Sequence, residues 1–560
     1  MMKILLTGVN SKYIHSNLAI RYLKAYTEDL PCECKIREFS INDRIEIILE
    51  QIILEKADVV AFSCYIWNME YINKLANLIK LVDKDIEILY GGPEVSYDSE
   101  NFLKDCNGEY VISGEGEDSF REFVEYKLGL REIASIRGLY YKREEKVIFN
   151  GLRPQMNMND LRFPYKEGDK EIHNKIVYYE ASRGCPFKCK YCLSSTANGV
   201  RFLDIERVKK ELKFFIDEKV RLVKFVDRTF NCNHDFVKEI WEFLIEQDTK
   251  TTFHFEISAD LLRDDEIKLL NKAPKGRIQL EVGVQTTNNE VLNNINRYVG
   301  FETIKDKVVG IAEGHNVKQH LDLIAGLPGE DFNSFKNSFN DVHSIRPDEI
   351  QLGFLKLLKG SSMRDEAEKW GIVYAPYAPY EILSSKDISY EELLELKKVE
   401  EIVDKYYNSQ KFNTVLKYFL NKFETPFDFY YAMGSYFHER GYFNINIGNT
   451  EYYRVFVDFN NYKFNGENTE ELKDIIKYDY LKYNKKKWLP EFLNRDITKE
   501  EERIIKEKLK DSYDFKRSHI EKFNLDIMQY IEMGKLIMSQ NYLLFDLDNE
   551  ENIKVLNNIL

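Results

Sequence analysis

Short apolar runs of strand length alternate with helical patterns in two separate stretches of this 560-residue chain. Buried strands joined by helices form parallel sheets. The first stretch predicts strands at Lys3 to Val9, Lys35 to Phe39, Ala57 to Ser63, Ile86 to Tyr90 and Tyr110 to Ser113. The second predicts strands at Ile176 to Ala181, Arg221 to Val226, Thr251 to Ile257, Arg277 to Val284, Gln319 to Ile324 and Glu349 to Phe354. We therefore predict an α/β protein with an N-terminal doubly wound parallel sheet and a partial (β/α)6 barrel.

The rest of the chain has a different pattern. Residues 131–175 predict a linker with a hairpin, because Gly138-Leu139-Tyr140-Tyr141 is followed by the turn signal Asn150-Gly151. After residue 369, apolar residues repeat at helical spacing from Leu393 to Tyr406, and Thr498 with Glu501 forms a capping-box pattern. The predicted domains are residues 1–130, 131–175, 176–368 and a mainly helical 369–560.

Charge and cysteine usage narrow the expected partners and compartment. The chain has 80 Lys and Arg against 94 Asp and Glu, a net charge of −14, so nucleic acid is not the expected partner. The basic run Lys485-Lys486-Lys487 is interpreted as a solvated surface. No apolar run of about 20 residues predicts a membrane span or signal peptide. The eight cysteines are not spaced as a disulfide framework, so we expect a cytoplasmic protein.

Three of the cysteines form a C-x3-C-x2-C motif just after the first strand of the second stretch: Cys185, Cys189 and Cys192. Three thiolates at this spacing can ligate three irons of a [4Fe–4S] cluster, and the fourth iron then stays open to a substrate. The alternatives are a zinc site completed by a distant ligand and inert core thiols. Zinc sites prefer paired C-x2-C knuckles, and this sequence has no second knuckle.

Glycines and polar residues collect where the strands of the N-terminal sheet end. Ligands bind beyond the carboxyl ends of parallel strands, and glycine lets a backbone approach a bulky ligand closely. The predicted ligand-binding residues at these ends are Tyr13, His15, Asn17, Ser63, Trp67, Gly91, Gly92, Pro93, Glu94, Gly114, Glu115 and Gly116.

The cysteine motif, with an aromatic residue before its last cysteine, resembles that of the radical S-adenosylmethionine (SAM) superfamily. The N-terminal strand-end motifs resemble the cobalamin-binding domain of its B12-dependent members. The two resemblances cover about residues 1–365. They imply a [4Fe–4S] cluster, SAM and cobalamin as cofactors, with reductive cleavage of SAM to a 5′-deoxyadenosyl radical that abstracts a substrate hydrogen. The region after residue 370 looks like an uncharacterised C-terminal extension found on some of these proteins, and it implies no function.

The resemblance also implies SAM contacts from positions in the barrel. Asp227 and Arg228 end the second strand, where the superfamily binds the SAM amino group. The segment from Leu323 to Glu330 resembles the superfamily's G-x-I-x-G-x-x-E motif near adenine, although Asp322 replaces its first glycine. The full implied set is Tyr191, Asp227, Arg228, Glu256, Ser258, Glu281, Gln285 and Gly326.

The cobalt-ligating motif D-x-H-x-x-G of cobalamin-dependent mutases does not occur in residues 1–130. The partial match from Asp341 to Arg346 lies in the barrel region. We therefore expect base-off cobalamin without a histidine lower ligand. His15 is either a cofactor contact or a hydrogen-bonded turn residue.

The resemblance implies methylation of an unactivated carbon, in which one SAM methylates cobalt and a second supplies the radical. A cyclase or rearrangement enzyme, an RNA-modifying methylthiotransferase-like enzyme and a non-catalytic cobalamin or redox sensor remain open. Methylthiotransferases carry a second cysteine cluster in their N-terminal domain. Here the N-terminal cysteines are not spaced as such a cluster: Cys32, Cys34, Cys64 and Cys106. Expected partners are an electron donor such as flavodoxin or ferredoxin and an unidentified small-molecule or peptide substrate.

Overall fold

The computed structural model describes residues 1–144, 146–196, 199–484, 488–510, 513, 515, 517–549 and 552–556. The basic run Lys485-Lys486-Lys487 lies outside the described residues. The chain forms two compact units: Met1–Ser334 with Gly353–Ser389, and Phe335–Leu352 with Tyr390–Leu560. No helix in the described ranges is both long enough and apolar enough to cross a membrane.

The first unit begins with a seven-stranded sheet in the order β2-β1-β3-β4-β5-β6-β7. Its strands are β1 (Lys3–Asn10), β2 (Glu33–Ser40), β3 (Val59–Ser63), β4 (Glu87–Gly91), β5 (Tyr110–Ile112), β6 (Leu139–Arg143) and β7 (Lys146–Phe149). Its helices are α1 (Leu18–Ala25), α2 (Ile45–Leu54), α3 (Met69–Val82), α4 (Pro93–Ser96), α5 (Ser99–Asp105) and α6 (Glu117–Lys127). β1 to β5 pair in parallel, whereas β6 and β7 are antiparallel.

Both faces of this sheet are covered by helices. Alternate residues of β1 point to opposite faces, so Leu5 packs with residues of α2 and α3 while Leu6 packs with residues of α1 and α6. The Asn17 side chain accepts a hydrogen bond from the Ile20 amide and caps the start of α1. The doubly wound arrangement predicted from the sequence is confirmed.

The predicted hairpin exists, but its turn was placed wrongly. β6 and β7 are joined between Arg143 and Lys146, and they extend the N-terminal sheet rather than stand apart as a linker. Asn150 follows the hairpin, and its side-chain amide donates to the carbonyl oxygens of Ile133 and Ile136. The Asn-Gly pair therefore anchors the exit of the hairpin instead of forming its turn.

A second sheet has the order β15-β14-β13-β12-β11-β8, and the successive pairs from β8 to β14 are parallel. Residues 335–352, which include most of β15, count with the second compact unit. Its strands are β8 (Val177–Tyr179), β11 (Leu222–Phe225), β12 (Thr252–Ile257), β13 (Ile278–Gln285), β14 (Lys318–Ala325) and β15 (Glu349–Phe354). A separate ribbon pairs β9 (Ser182–Gly184) with β10 (Val200–Phe202). The helices are α7 (Ile205–Asp217), α8 (His234–Glu246), α9 (Asp264–Leu270), α10 (Asn289–Asn294), α11 (Phe301–Ala312) and α12 (Phe332–Ile345). The predicted partial barrel is confirmed.

The first unit continues past the barrel strands with α13 (Ser362–Asp365), β16 (Val373–Tyr374) and β17 (Ile382–Ser384). The Ile382 amide donates to the carbonyl oxygen of Leu355, and its side chain packs over Gly326. These contacts hold residues 353–389 on the barrel. The compact units therefore divide the chain after Ser389, and the domain boundary at residue 368 stays a prediction.

The second unit is mainly helical, as predicted. It contains a π-helical turn (Val403–Asn408), α14 (Tyr390–Ile402), α15 (Asn413–Leu420), α16 (Pro426–Glu439), α17 (Asn449–Phe464), α18 (Thr469–Asn484), α19 (Lys499–Leu509) and α20 (Ile527–Met533). The capping box of Thr498 and Glu501 at the start of α19 is confirmed. An antiparallel sheet of β18 (Ser518–Leu525), β19 (Met538–Asp546) and β20 (Ile553–Val555) was not predicted. Buried His519 and Glu521 interrupt the apolar pattern of β18.

Candidate functional site

The three motif cysteines lie in a loop closed at its base by the ribbon of β9 and β10, in which Gly184 pairs with Val200. Gly184 has a φ of 107°, and a Cβ there would overlap the carbonyl oxygen of Gly199. Only glycine fits this position just before Cys185. The ribbon therefore fixes where the cysteine loop begins.

All three thiols line one cavity of about 180 Å³, which we call the cysteine cavity. Its lining residues are Cys185, Phe187, Cys189, Tyr191, Cys192, Ser195, Arg228, Thr229, Glu256, Ile257, Ser258, Glu281, Gly283, Gln285, Arg297 and Asp322. Among the described residues, no three His, Cys, Asp or Glu side chains are grouped to hold a single metal ion. A [4Fe–4S] cluster instead takes each thiolate on a different iron. Three thiols around one cavity therefore fit a cluster of this kind.

Strand register brings three carboxyl groups to the cysteine cavity. Glu256 on β12 lies opposite Glu281 on β13, and Gly283 lies opposite Asp322 on β14. Residues two apart on a strand face the same side, so Glu281 and Gly283 share a face of β13. Asp322 was noticed in the sequence only as a departure from the superfamily motif, and the register makes it part of the cavity wall.

The three carboxyl groups have different electrostatic surroundings. Burial opposes ionisation of Glu281, but His254 Nε2 and Lys224 Nζ each lie 2.9 Å from its carboxylate and lower its pKa to about 2. Burial raises the pKa of Glu256, although Arg228 at 3.8 Å opposes this. Burial, together with the charges of Glu281 and Glu256, raises the pKa of Asp322. The cavity wall thus contains one firmly ionised carboxylate and two that are harder to ionise.

Within the part of the chain that the structure describes, three buried polar atoms of the cysteine cavity have no hydrogen-bond partner: Gln285 Oε1, Asp322 Oδ1 and Arg297 Nε. Gln285 stands at a bulge in β13 with a φ of 73°, a strained conformation for a residue other than glycine. Buried polar groups without partners in a cavity indicate a polar ligand with both donors and acceptors. SAM is a ligand of that kind, and the cavity therefore fits it.

Arg297 was missed by the sequence analysis. Its Nη2 donates to the carbonyl oxygen of Gly283, and its Nη1 lies 3.9 Å from Cys189 Sγ. The residue comes from the loop after α10, where no strand-end or cysteine pattern marks it. Its position beside a motif thiol depends on contacts between segments that are more than a hundred residues apart in the chain.

Two residues implied as SAM contacts do not line the cysteine cavity. The Asp227 carboxylate accepts hydrogen bonds from the Ala181 amide, at 3.0 Å, and from the Ser182 hydroxyl. Asp227 therefore holds the turn that leads into β9 and the cysteine loop. Gly326 is covered by Ile382 and does not line the cysteine cavity. The other implied residues all line it: Tyr191, Arg228, Glu256, Ser258, Glu281 and Gln285.

The N-terminal sheet has its own cavity of about 390 Å³ beyond the ends of its strands, which we call the glycine groove. Seven of the predicted residues line it: Ser63, Gly91, Gly92, Pro93, Gly114, Glu115 and Gly116. The rest of its wall includes the apolar side chains of Leu6, Ala61, Leu89 and Ile112. A Cβ at Gly92, where φ is 122°, would collide with the carbonyl oxygen of Cys64, whereas Gly114 faces open space. This apolar, glycine-walled space fits a large, mostly uncharged ligand group such as part of cobalamin.

A third space of about 620 Å³, the central cavity, is lined by residues of both the N-terminal sheet and the barrel, including predicted His15, Asn17, Trp67 and Glu115. One wall is the parallel stack of Tyr65 and Trp67, whose ring centroids are 4.4 Å apart. His15 Nδ1 lies 2.7 Å from the Tyr178 hydroxyl on β8. Burial, with Lys12 and Lys224 nearby, lowers the pKa of His15. The histidine is therefore neutral at pH 7 and partnered by the barrel.

Ion pairs in the central cavity join the N-terminal sheet to the ribbon of β9 and β10. Arg183 on β9 pairs with Glu117 and with Glu180, the latter at 2.9 Å. Arg201 on β10 pairs with Glu115, whose second oxygen also accepts from the Met156 amide at 2.9 Å. These pairs hold the loop after β5 against the ribbon that carries the motif cysteines.

Two predicted residues of the N-terminal domain lie outside all three cavities. Tyr13 is 74% exposed, and the Lys175 ammonium lies 5.6 Å from its ring centroid. Glu94 is buried, accepts a hydrogen bond from the Tyr380 hydroxyl and pairs with Lys359 at 3.2 Å. Glu94 therefore fastens α4 to the segment that follows the barrel strands.

Family models match three parts of the chain. The B12 binding domain matches residues 4–124, and the radical SAM superfamily matches residues 179–342. The chain combines a B12-binding domain with a radical SAM domain. The glycine groove thus belongs to the B12-binding domain and the cysteine cavity to the radical SAM domain. A family described only as a protein of unknown function, DUF4080, matches residues 368–545.

Two curated relatives are named as methyltransferases. An uncharacterized methyltransferase of Pyrococcus horikoshii is 31% identical over 186 residues, which are 31% of this chain and 40% of that protein. The cobalamin-dependent radical SAM methyltransferase TokK of Streptomyces tokunonensis is 23% identical over 346 residues, covering 58% of this chain and 50% of that protein. The chain thus spans about half the length, or less, of these relatives.

A solved structure shares its fold with about two thirds of the chain. The radical SAM methyltransferase TsrM of Kitasatospora setae, solved with cobalamin and a [4Fe–4S] cluster bound, superposes with a TM-score of 0.57 at 15% identity. The match covers 68% of this chain and 82% of TsrM. At this identity, the similarity shows the fold.

Proposed function

We propose that this chain is a cobalamin-dependent radical SAM enzyme that methylates an unactivated carbon of its substrate. The observation that carries the proposal is the position of the three motif thiols. They line a cavity that also contains unpartnered polar atoms among the described residues, and that cavity shares Arg228 with the central cavity, which in turn shares Glu115 and Arg183 with the glycine groove. Names of relatives such as TokK and TsrM support methylation as the reaction.

Each cavity has a proposed occupant. Cys185, Cys189 and Cys192 would hold the cluster, the polar ends of β12 to β14 would hold SAM, and the glycine groove would hold part of cobalamin. When bound, the cluster and SAM supply a radical that removes a hydrogen atom, and cobalamin supplies a methyl group. The substrate would enter the central cavity, which is lined by residues of both domains.

The chain's own residues would keep these groups in register and shield them. The ion pairs of Arg183 with Glu117 and of Arg201 with Glu115 tie the loop after β5 to the ribbon of β9 and β10. The stacked rings of Tyr65 and Trp67 would form an apolar wall on one side of the central cavity. Exclusion of water and fixed geometry are what a radical reaction needs from its protein.

The packing of the remaining N-terminal cysteines disfavours a methylthiotransferase. Cys64 and Cys106 pack in the apolar core on one face of the N-terminal sheet, whereas Cys32 and Cys34 pack against the core on the other face. Thiols on opposite faces of a sheet cannot ligate one cluster. Burial also raises the pKa of Cys64 and Cys34, which disfavours their thiolate forms.

Anaerobic reconstitution tests the proposal. Iron content and formation of 5′-deoxyadenosine from SAM should be lost in Cys185→Ala, Cys189→Ala and Cys192→Ala, and retained in the control Cys106→Ala. Intact iron binding and SAM cleavage in all three motif variants would contradict the radical SAM assignment.

A second measurement separates methylation from the other reactions. SAM with an isotopically labelled methyl group should transfer that label to cobalamin in the reconstituted chain. SAM cleavage without label transfer would favour a cyclase or rearrangement enzyme, and absence of cleavage in a fully loaded chain would favour a sensor.

The compartment and the electron donor belong to the same proposal. All eight cysteine thiols are free, which supports a reducing location such as the cytoplasm. A flavodoxin or ferredoxin is the proposed reductant, and base-off cobalamin is the proposed state. Reduction of the reconstituted cluster by purified flavodoxin tests the donor.

A further inference from the structure

Arg228 stands in the wall shared by the cysteine cavity and the central cavity. Its side chain is 57% exposed, because it projects into these spaces. Within the described part of the chain, its one ion pair is with Glu256 at 3.8 Å, longer than a hydrogen bond. The planar guanidinium therefore keeps its donors available for a ligand.

The other guanidinium groups of the central cavity are already committed. Arg183 is held by Glu117 and Glu180, and Arg201 is held by Glu115 and by the Met156 carbonyl oxygen at 2.6 Å. A ligand in this cavity would have to break an ion pair to reach either of them. Arg228 is thus the guanidinium that such a ligand reaches without that cost.

SAM has its own candidate in the cysteine cavity. Arg297 has a buried Nε without a partner, and it lies beside Cys189, one of the proposed cluster ligands. SAM carries one carboxylate, for which one guanidinium suffices. The guanidinium of Arg228 is a cation with N–H donors and no acceptor, so it cannot accept a hydrogen bond from the SAM amino group. Arg297 is therefore the candidate for the SAM carboxylate, and Arg228 is left for a different ligand.

We propose that Arg228 binds a carboxylate group of the substrate at the junction of the two cavities. This inference rests on the proposed function for the occupants of the cysteine cavity and the glycine groove. The parallel Tyr65 and Trp67 rings line the same central cavity and offer a flat apolar surface. The substrate class is therefore a carboxylic acid with a flat apolar body, bound by a bidentate guanidinium contact and by ring packing.

A matched pair of probes tests the carboxylate site: indole-3-acetate and its neutral analogue indole-3-acetamide. The full chain, loaded with cluster, cobalamin and saturating SAM, should bind the acid at least about tenfold more tightly than the amide. Arg228→Gln should reduce this ratio to within about twofold, and Arg228→Lys should restore part of it. Arg44→Gln, at a 76% exposed arginine outside the cavities, should leave the ratio unchanged.

A second experiment measures the SAM affinity of the arginine variants. The iron content of each variant shows whether it folds. Arg297→Gln should weaken SAM binding about tenfold, whereas Arg228→Gln should change it by less than about twofold. A reversed order would assign Arg228 to SAM and overturn the inference. Equal binding of acid and amide by the wild type, or an unchanged ratio in Arg228→Gln, would also overturn it. A wild-type chain that binds neither iron nor SAM would instead overturn the proposed function.

Discussion

The cysteine cavity and the glycine groove belong to neighbouring α/β domains, but their walls differ in chemical character. The cysteine cavity is built from ionisable side chains that alternate along strands, among them Glu256, Glu281 and Asp322. The glycine groove is walled mainly by glycine backbone and apolar side chains, with Gly92 and Gly114 at the strand ends and Glu115 among its few charged residues. A small charged ligand needs directed side chains, whereas a large ligand needs space. The first site should therefore be sensitive to charge changes and the second to added volume.

The strongest test of the groove adds a single methyl group. Gly92→Ala should destabilise the B12-binding domain by about 4 kcal/mol or more, because positive φ and a collision with the Cys64 carbonyl act together. Gly114→Ala is the matched control: it has the same sign of φ but open space, so about 1 kcal/mol is expected. Thermal unfolding midpoints measure both. Equal losses of stability in the two variants would show that the steric contact at Gly92 does not contribute.

The strongest test of the barrel changes a charge. Burial raises the pKa of Asp227 to about 7, above the value of about 3.9 in an unfolded chain. The unfolded chain releases this proton first as pH rises, so Asp227 should destabilise the fold progressively between about pH 4 and pH 7, by at most about 4 kcal/mol.

Asp227→Asn removes this titration. Its stability should therefore fall less than that of the wild type from pH 4 to pH 7 and run parallel to it above pH 7. Denaturation at a series of pH values checks this expectation. Identical pH profiles for the two chains would show that the carboxyl is not perturbed in the folded state.

A smaller effect is expected at Glu94, which joins α4 to the segment that follows the barrel strands. Glu94→Gln should lower stability by about 1–3 kcal/mol, because it weakens the contacts with Tyr380 and Lys359. Cobalamin affinity should change no more than in Tyr380→Phe, which removes the same hydrogen bond from the other side. A loss of cobalamin binding confined to the Glu94 variant would restore the ligand role predicted from the sequence.

The smallest effect is expected at His15. Its Nδ1 is engaged by the Tyr178 hydroxyl and its side chain lines the central cavity and not the glycine groove, so His15→Phe should leave the absorption spectrum of bound cobalamin unchanged. A wild-type spectrum of imidazole-coordinated cobalt that is lost in this variant would refute the base-off prediction.

Prediction from the sequence succeeded where a signal is local. The alternation of apolar runs predicted β1 to β5 and the six barrel strands to within a few residues, because burial on both faces demands continuous apolar segments. The spacing of Cys185, Cys189 and Cys192 identified the loop whose thiols share one cavity. The turn of the hairpin and the antiparallel sheet of the second unit were missed, because their signals are weak or mixed with buried polar residues.

Neighbouring residues with similar sequence signals proved to have different roles. Asp227 turns inward to hold Ala181 and Ser182, whereas Arg228 projects into two cavities. Pro93 lines the glycine groove, whereas Glu94 turns to Tyr380. At a strand end, one residue step reverses the direction of a side chain, and the turn that follows decides which direction meets the cavity.

The two α/β domains, the cysteine motif and the glycine-rich strand ends could be predicted from the amino-acid sequence alone, because each depends on residues close together in the chain. Only the tertiary structure decided which polar groups surround the thiols. Arg297 and Asp322 reach the cysteine cavity through strand register and loop packing over more than a hundred residues. Such long-range contacts leave no periodic trace in the sequence, since they depend on how distant segments pack and not on local pattern.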